Sequence, residues 1–583
     1  MIGASFGSCQ AWYHPADGNR AVLLCSAHGF EELCSRSTMR LLAGKLADAG
    51  MPVLRFDYPG TANSMGGDDD PKLVEVWRQS IKEAASWLMK QDGIDEIVVI
   101  GLRLGALLAV LEMNEIEGLC GLCLLAPALN GRHYTREAAI LAKIMEAAPS
   151  YADATAHNDA IDVCGFCISK EAQSDLKALS LASAAPKRAI PVLVLSQRGL
   201  KAAEVWRSWS ASGCAVTEEP FTGFDELICD PTASKIPQAA IDQVAEWATQ
   251  LAPLKAMGKR RALPSSLEAE DWSESAVTFG AQGSLAGIVC RPAKPDPNAL
   301  PVVFVNSGMN YHIGWSRSAV RQARALATAG IASLRYDTPG AGDSIDMSDS
   351  NELPLYNETA ENGLVAAIDW LLTQGYPAPL VLGSCSGAYA AFHVARKDPR
   401  IKKALIANLQ CFEWTPAIGF VVDRWRETRR AEVTARRESA GAEFEGGSTT
   451  MLLNLTLSAA GHLRRAGRVL KRLLVSKVPA RGLDGDNRIL TWLTDMSARR
   501  CEVILVYARG DIGLSALEAS TGPGAERALR LPGVSLHILE NCDHSITPRQ
   551  AQEEITKLVL QHAITGASED RSKARMHCSS DAA

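Results

Sequence analysis

PLVLGSCSGAYAAFHVA, residues 379–395, sets an apolar run, a glycine-bounded turn and a stretch of small residues in immediate succession. The apolar run reads as a strand buried on both faces, and AYAAFHVA reads as a helix packed against it. Between them, Gly383-Ser384-Cys385-Ser386-Gly387 must reverse the chain within a few residues. Small residues are needed at its ends because strand and helix press on the turn, and the central residue takes a strained backbone. Its side chain then projects alone beyond the C-terminal edge of a sheet.

Working outward, the same order of elements occurs twice, about 280 residues apart. MPVLRFDYPGTANS (51–64) aligns with IASLRYDTPGAGDS (331–344), and AVLLCSAHGF (21–30) corresponds to PVVFVNSGMN (301–310). Each copy continues with an amphipathic helix (75–91, 359–374), an apolar strand (96–101, 379–383) and a Gly-bounded turn, GLRLG or GSCSG. Strands alternating with helices predict parallel βαβ units, so the chain reads as α/β twice over: each half a mostly parallel sheet flanked by helices. The expected boundaries are a first domain over 1–253, a basic Pro/Ser-bearing linker over 254–268, and a second domain over 269–565. A polar, disordered tail is expected over 566–583.

Gly-x-Cys-x-Gly on a strand-to-helix turn matches the nucleophile elbow of the α/β-hydrolase fold, with cysteine in the serine position. In that fold an acid follows a late strand and a histidine follows the last. CEVILVYARGD (501–511) ends in Asp511, and VSLHILENCDHSITP (534–548) runs into a loop bearing His544. Asp543 and Asp486 are rival acids, but neither ends a predicted strand. The expected site is Cys385 as nucleophile, His544 as base and Asp511 orienting the imidazole. The oxyanion is expected to meet the N–H of Ser386 and one from the Gly308–Met309 turn.

The first half keeps the turn and loses the chemistry. Gly101-Leu102-Arg103-Leu104-Gly105 puts a permanently protonated guanidinium where a nucleophile belongs. Strand PVLVLS (191–196) ends in QRGL without an acid, and FTGFDELICDPTASKIP (221–237) contains no histidine. Arg103 is read either as a ligand for a carboxylate or phosphate or as a buried ion pair with Asp225 or Glu226. His28 in AHGF marks the old oxyanion loop and is read as structural.

These motifs also carry a family resemblance. The first half, with LRFDYPG, GLRLGALLAV and ALNGRHYTREA, resembles the exosortase A system-associated hydrolases of type 2. The second half, with NYHIGWSRSAVRQARALATAGIASLRYDTPGAGDS and its cysteine elbow, resembles the type 1 group. The resemblance implies two hydrolase-like folds fused in one chain. GSCSG is a more regular elbow than that group tends to have.

The composition is that of a globular chain: 583 residues, 47% hydrophobic, 22% charged and net charge −6, with nothing that points to nucleic acid as a partner. No basic segment precedes a long apolar run, so a cytoplasmic location is expected. The fifteen cysteines are read as reduced thiols. Cys120 with Cys123 and Cys164 with Cys167 have zinc-like spacing, but the first pair lies in a strand that sends its thiols to opposite faces. No metal or cofactor is expected. Gly340 and Gly342 lack the following helix of a dinucleotide motif.

A helical cap insertion is expected at about 414–498. Arg464, Arg465 and Arg468, with Lys471 and Arg472, recur there at helical spacing, either as a solvated lid face or as a dock for coenzyme A phosphates or an acidic carrier protein. Membrane-surface contact is the less favoured alternative. The expected function is acyl transfer, slightly favoured, or thioester or ester hydrolysis, through a thioacyl enzyme with a non-catalytic first domain. The alternative is a catalytically silent binding or assembly module; peptidase activity rests on fold analogy alone.

Overall fold

Runs of apolar, often β-branched residues build two sheets, and a computed structural model describes them through residues 1–91, 93–146, 160–200, 202–251, 253–256, 264–347, 353, 355–444 and 488–564. The first sheet contains β1 (Ile2–Phe6), β2 (Cys9–His14), β3 (Arg20–Cys25), β4 (Val53–Phe56), β5 (Glu96–Leu102) and β6 (Leu119–Leu125). A short hairpin, β7 (Ile161–Val163) with β8 (Phe166–Ile168), precedes its last two strands, β9 (Pro191–Ser196) and β10 (Ala215–Pro220). The second sheet contains β11 (Ser266–Glu268), β12 (Trp272–Phe279), β13 (Leu285–Pro292), β14 (Val302–Val305) and β15 (Ser333–Tyr336). It is completed by β16 (Leu380–Ser384), β17 (Lys403–Ala407), β18 (Glu502–Ala508) and β19 (Val534–Leu539).

The spatial orders are β1-β2-β4-β3-β5-β6-β9-β10 and β11-β12-β13-β15-β14-β16-β17-β18-β19. Apart from β11 they superimpose strand for strand, β4 on β15 and β5 on β16, with antiparallel pairing at the first edge and parallel pairing from β4 and β15 onward. Ser266–Glu268, assigned to the linker on sequence grounds, pairs antiparallel with β12 and is the first strand of the second sheet. Helices Phe30–Asp48, Leu73–Met89 and Leu104–Glu112 flank the first sheet; Ser318–Thr328, Glu358–Thr373 and Ser386–Lys397 take the same places on the second.

Both sheets carry an excursion at the same point. Between β6 and β9 lie helix Gly131–Glu146, the β7–β8 hairpin and helix Lys170–Lys177; between β17 and β18 lie helices Pro416–Phe444 and Arg488–Ala498. Arg464, Arg465, Arg468, Lys471, Arg472 and Asp486 lie outside the described residues, as does the segment 566–583. Among the described residues no helix is long and apolar enough to cross a membrane.

The halves are joined through the loops after their equivalent strands β4 and β15. Arg36, from the helix following β3, reaches Asp343 beyond β15 at 2.8 Å. Its counterpart Arg317 reaches back and donates to the carbonyls of Gly60, Ala62, Ser64 and Gly66 beyond β4. Arg55 also binds Asp343, at 2.7 Å, and the Tyr311 hydroxyl donates to Glu32 at 2.6 Å. Tyr311, Ile313 and Trp315 of the second domain are buried in one cluster with Leu24, Phe30 and Leu42 of the first. The junction is therefore core-like, its buried charges either ion-paired or, for Arg317, held by backbone carbonyls.

Candidate active site

β16 delivers Cys385 to the C-terminal edge of its sheet with φ 52° and ψ −117°, just before helix Ser386–Lys397 begins. Tight packing imposes that geometry. A Cβ on Gly387 would lie 2.3 Å from the Val305 carbonyl oxygen, and one on Gly383 would lie 2.2 Å from that of Gly387. Such a turn stores strain that only dense surroundings hold, and it exposes the central side chain to a reacting partner.

His544 follows β19 and Asp511 follows β18. Asp511 Oδ2 lies 2.6 Å from His544 Nδ1, and its Oδ1 accepts from Gly513 N at 2.8 Å, so the carboxylate caps the next helix while it holds the ring. Asn408 Nδ2 donates to the His544 carbonyl at 2.8 Å. The Gln410 amide lies 3.0 Å from His544 Nδ1; an N–H already committed to Asp511 has no lone pair, so the compatible end of that amide is its carbonyl. The rival Asp543 is spent on its own loop, accepting from Thr547 N at 2.7 Å and Thr547 Oγ1 at 3.0 Å.

The electrostatics follow from these contacts. Burial opposes ionisation of Cys385, but charge and hydrogen bonding from His544, with further hydrogen bonds from Tyr356 and the Ser386 backbone, hold the thiol below its ordinary range. Burial likewise disfavours a charged His544, yet Cys385 and Asp511 together hold the imidazole well above its usual value. Both shifts favour the thiolate–imidazolium form of the pair.

Two sequence families match this chain in tandem: the family described as Serine aminopeptidase, S33 over residues 18–165, and the Alpha/beta hydrolase family over 302–557. The chain is two α/β-hydrolase-fold domains in tandem. Solved structures similar to it include proline iminopeptidase from Mycobacterium smegmatis, at 16% identity, covering 50% of this chain and 99% of that one with a TM-score of 0.30. Ferulic acid-bound Est1E from Butyrivibrio proteoclasticus is 15% identical, covering 43% of this chain and 99% of that one, also with a TM-score of 0.30. Dienelactone hydrolase from Anabaena variabilis is 15% identical, covering 50% and 97%, again with a TM-score of 0.30. No curated protein matches.

In the first α/β-hydrolase domain the elbow geometry survives without the nucleophile: Arg103 sits at φ 55° and ψ −116°. Its guanidinium is engaged by Glu31 at 2.9 Å, Glu137 at 2.6 Å, and the Ala126 carbonyl and Gln197 Oε1 at 3.3 Å. Burial opposes its charge, but Glu137 and Glu31 hold its pKa raised. The partners expected from sequence, Asp225 and Glu226, are corrected here. The short helix Phe224–Leu227 lays the Phe224 ring under Arg103, and Glu226 pairs with Lys235 at 2.9 Å. A guanidinium so fully committed is a structural ion pair, not an open anion site. His28 packs on Trp77, and burial pushes it down to about 4, which keeps it neutral.

The oxyanion turn departs from expectation. Gly308 N donates to Ser386 Oγ at 2.8 Å, and Met309 N donates to Thr232 Oγ1 of the first domain at 3.2 Å. Sequence reasoning also missed Tyr356, whose hydroxyl lies 3.6 Å from Cys385 Sγ. It precedes helix Glu358–Thr373 and belongs to no motif. Among the described residues no group of three or more His, Cys, Asp or Glu could hold a metal, and Cys120 and Cys167 face the Ile97 carbonyl and Asp162.

Proposed function

We propose that the second domain is an acyl-transfer enzyme, a transferase or a thioesterase or esterase, that works through a thioacyl intermediate on Cys385. The observation that carries this reading is the strained elbow holding Cys385 next to a His544 that Asp511 fixes at 2.6 Å. The thiolate attacks an acyl carbonyl and forms a C–S bond while the carbonyl π pair moves to oxygen. Collapse breaks the bond to the leaving group, which takes the proton from His544 Nε2. An incoming amine, thiol or water then gives a proton back to His544 as it attacks the thioester carbonyl, and collapse breaks the C–S bond and restores the Cys385 thiolate. The substrate class is an acyl thioester of coenzyme A or a carrier protein, or an activated ester. The type 2 and type 1 resemblance of the two halves fits a place in an exosortase-associated system, with the first domain as a non-catalytic scaffold.

A second reading, a silent binding module, is favoured by one observation: both N–H groups of the oxyanion turn are already engaged by protein hydroxyls. Intact-protein mass after brief exposure to acyl-coenzyme A thioesters and p-nitrophenyl esters separates the two. One acyl adduct, absent from Cys385→Ala and His544→Ala, is expected. Wild-type protein that stays unmodified and turns over no ester would sink the enzymatic reading.

A further inference from the structure

A tetrahedral intermediate on Cys385 needs hydrogen-bond donors aimed at its oxygen, and the Gly308–Met309 turn has given its own away. The loss at Met309 is built in. A Cβ on Gly308, which sits at φ 58°, would lie 2.2 Å from Thr232 Oγ1, so the threonine hydroxyl is seated directly on the turn. Thr232 is itself held at both ends: its N–H donates to buried Asp230 at 2.9 Å, and its carbonyl accepts from Arg426 of helix Pro416–Phe444 at 2.8 Å. The loop that carries it is the one after β10, the counterpart of the loop that carries His544 after β19.

One backbone donor remains, the Ser386 N–H at the elbow, which already supports the thiolate. His544 also donates to the sulfur, but its proton is committed to the leaving group; the further donor there is the Tyr356 hydroxyl, 3.6 Å from Sγ. Its ring is clamped, stacked on Trp414 with centroids 4.7 Å apart and planes 7° apart, and met edge-on by Tyr389 at 5.5 Å. An oxygen on the carbon joined to Sγ stands close to the sulfur, within hydrogen-bonding reach of a hydroxyl placed there. As attack moves negative charge from sulfur to that oxygen, an O–H that first served the thiolate can follow the charge without reorganising the site.

We propose that Tyr356 is a catalytic residue of the second domain, the oxyanion donor that acts with the Ser386 N–H in place of Met309. The inference rests on the thioacyl chemistry proposed above. In the attack step the phenol keeps its proton: it donates to the oxyanion, and the same bond relaxes when the carbonyl reforms.

The test compares acylation by p-nitrophenyl acetate with alkylation by iodoacetamide, which needs the thiolate and builds no oxyanion. Both rates are measured across pH for wild type, Tyr356→Phe and Thr232→Ala. Tyr356→Phe is expected to lose about 10²–10³ in acylation kcat with KM little changed, while its limiting alkylation rate at high pH stays within about threefold. Thr232→Ala, which frees the Met309 N–H, is expected to show no gain in acylation. The proposal is overturned by wild-type acylation in Tyr356→Phe, by a parallel loss of acylation and limiting alkylation, or by an acceleration of about tenfold or more in Thr232→Ala. A wild type that alkylates and never acylates removes the thioacyl reading itself, and this donor with it.

Discussion

Arg36 of the first domain and Asp343 of the second share one carboxylate oxygen at 3.0 and 2.8 Å, and Asp343, fully buried, gives its other oxygen to Arg55 at 2.7 Å. Removing the shared anion leaves Arg55 without a carboxylate where water cannot reach it, and leaves Arg36 to Glu32 and Asp57 alone. Breaking a buried pair by deleting one partner costs about 3–5 kcal/mol. Asp343→Ala is therefore expected to lower the midpoint of urea unfolding by that equivalent, and unchanged stability would show that the junction carries no load. Burial would raise the Asp343 pKa, but Arg36 and Arg55 pull it below the carboxylate range. A depressed folded pKa contributes stability above the unfolded value, near ~3.9, that is lost as pH falls toward the folded one.

Because this junction buries apolar side chains of both halves in one cluster, the domains are expected to unfold together. Tryptophan fluorescence reports both, since Trp77 belongs to the first domain and Trp370 and Trp492 to the second. A single transition, coincident with the loss of far-ultraviolet circular dichroism, is the expected result. Two separated transitions would make the interface a weak dock.

The duplicated fold was legible because both copies keep LRFDYPG or LRYDTPG and a Gly-bounded elbow, local patterns that βαβ units require. Cys385, His544 and Asp511 were legible for a related reason: each sits where a strand must end. What joins the halves was not. Arg36 and Asp343 are 307 residues apart and look like ordinary helix and loop charges until the loops after β4 and β15 are brought face to face. Arg103 announced an elbow without a thiol or hydroxyl, but its partners Glu31 and Glu137 come from helices whose orientation no local pattern encodes. Thr232 and Tyr356 sit in loops without periodicity, and only contact with Met309 and Cys385 reveals them.

Asp511 keeps the His544 proton on Nδ1 and steadies the imidazolium, so Asp511→Asn should leave the fold intact and damage the chemistry. Losing the carboxylate that fixes the tautomer lowers kcat by about 10⁴ in a Ser-His-Asp triad. The variant is expected to fall by about that factor in ester turnover with its melting temperature little changed. Asp543→Asn, which touches the Thr547 loop and not the His544 ring, is expected to retain activity. Equal losses in the two would put the assignment of the acid in error.

The thiolate–imidazolium pair makes a directional claim about pH. Burial opposes it, but His544 lowers the Cys385 pKa and Cys385 raises that of His544, so each charge favours the other. Iodoacetamide should therefore alkylate Cys385 at pH values well below ~8.5, where a free thiol is mostly protonated, and the rate should fall only as pH drops through the lowered thiol value. In His544→Gln the profile is expected to move up toward that of an ordinary thiol. A wild-type profile already centred there would mean that the pair is neutral.

Arg103 tests whether an elbow alone makes an enzyme. Arg103→Cys places a thiol on a turn whose backbone angles match those of Cys385 to within a few degrees. That thiol has no base, because the loop 221–237 lacks histidine and Leu200 follows β9 where Asp511 follows β18. The variant is expected to acquire no second acyl adduct under conditions that acylate Cys385. It should also lose about 2–4 kcal/mol of stability, since Glu31 and Glu137 are left without their cation. Burial raises the Glu137 pKa and Arg103 lowers it, so without the guanidinium part of that loss should be recovered on mild acidification, opposite in sign to the behaviour of Asp343. A second adduct on the introduced thiol would show that the first domain had kept more of its machinery than its loops contain.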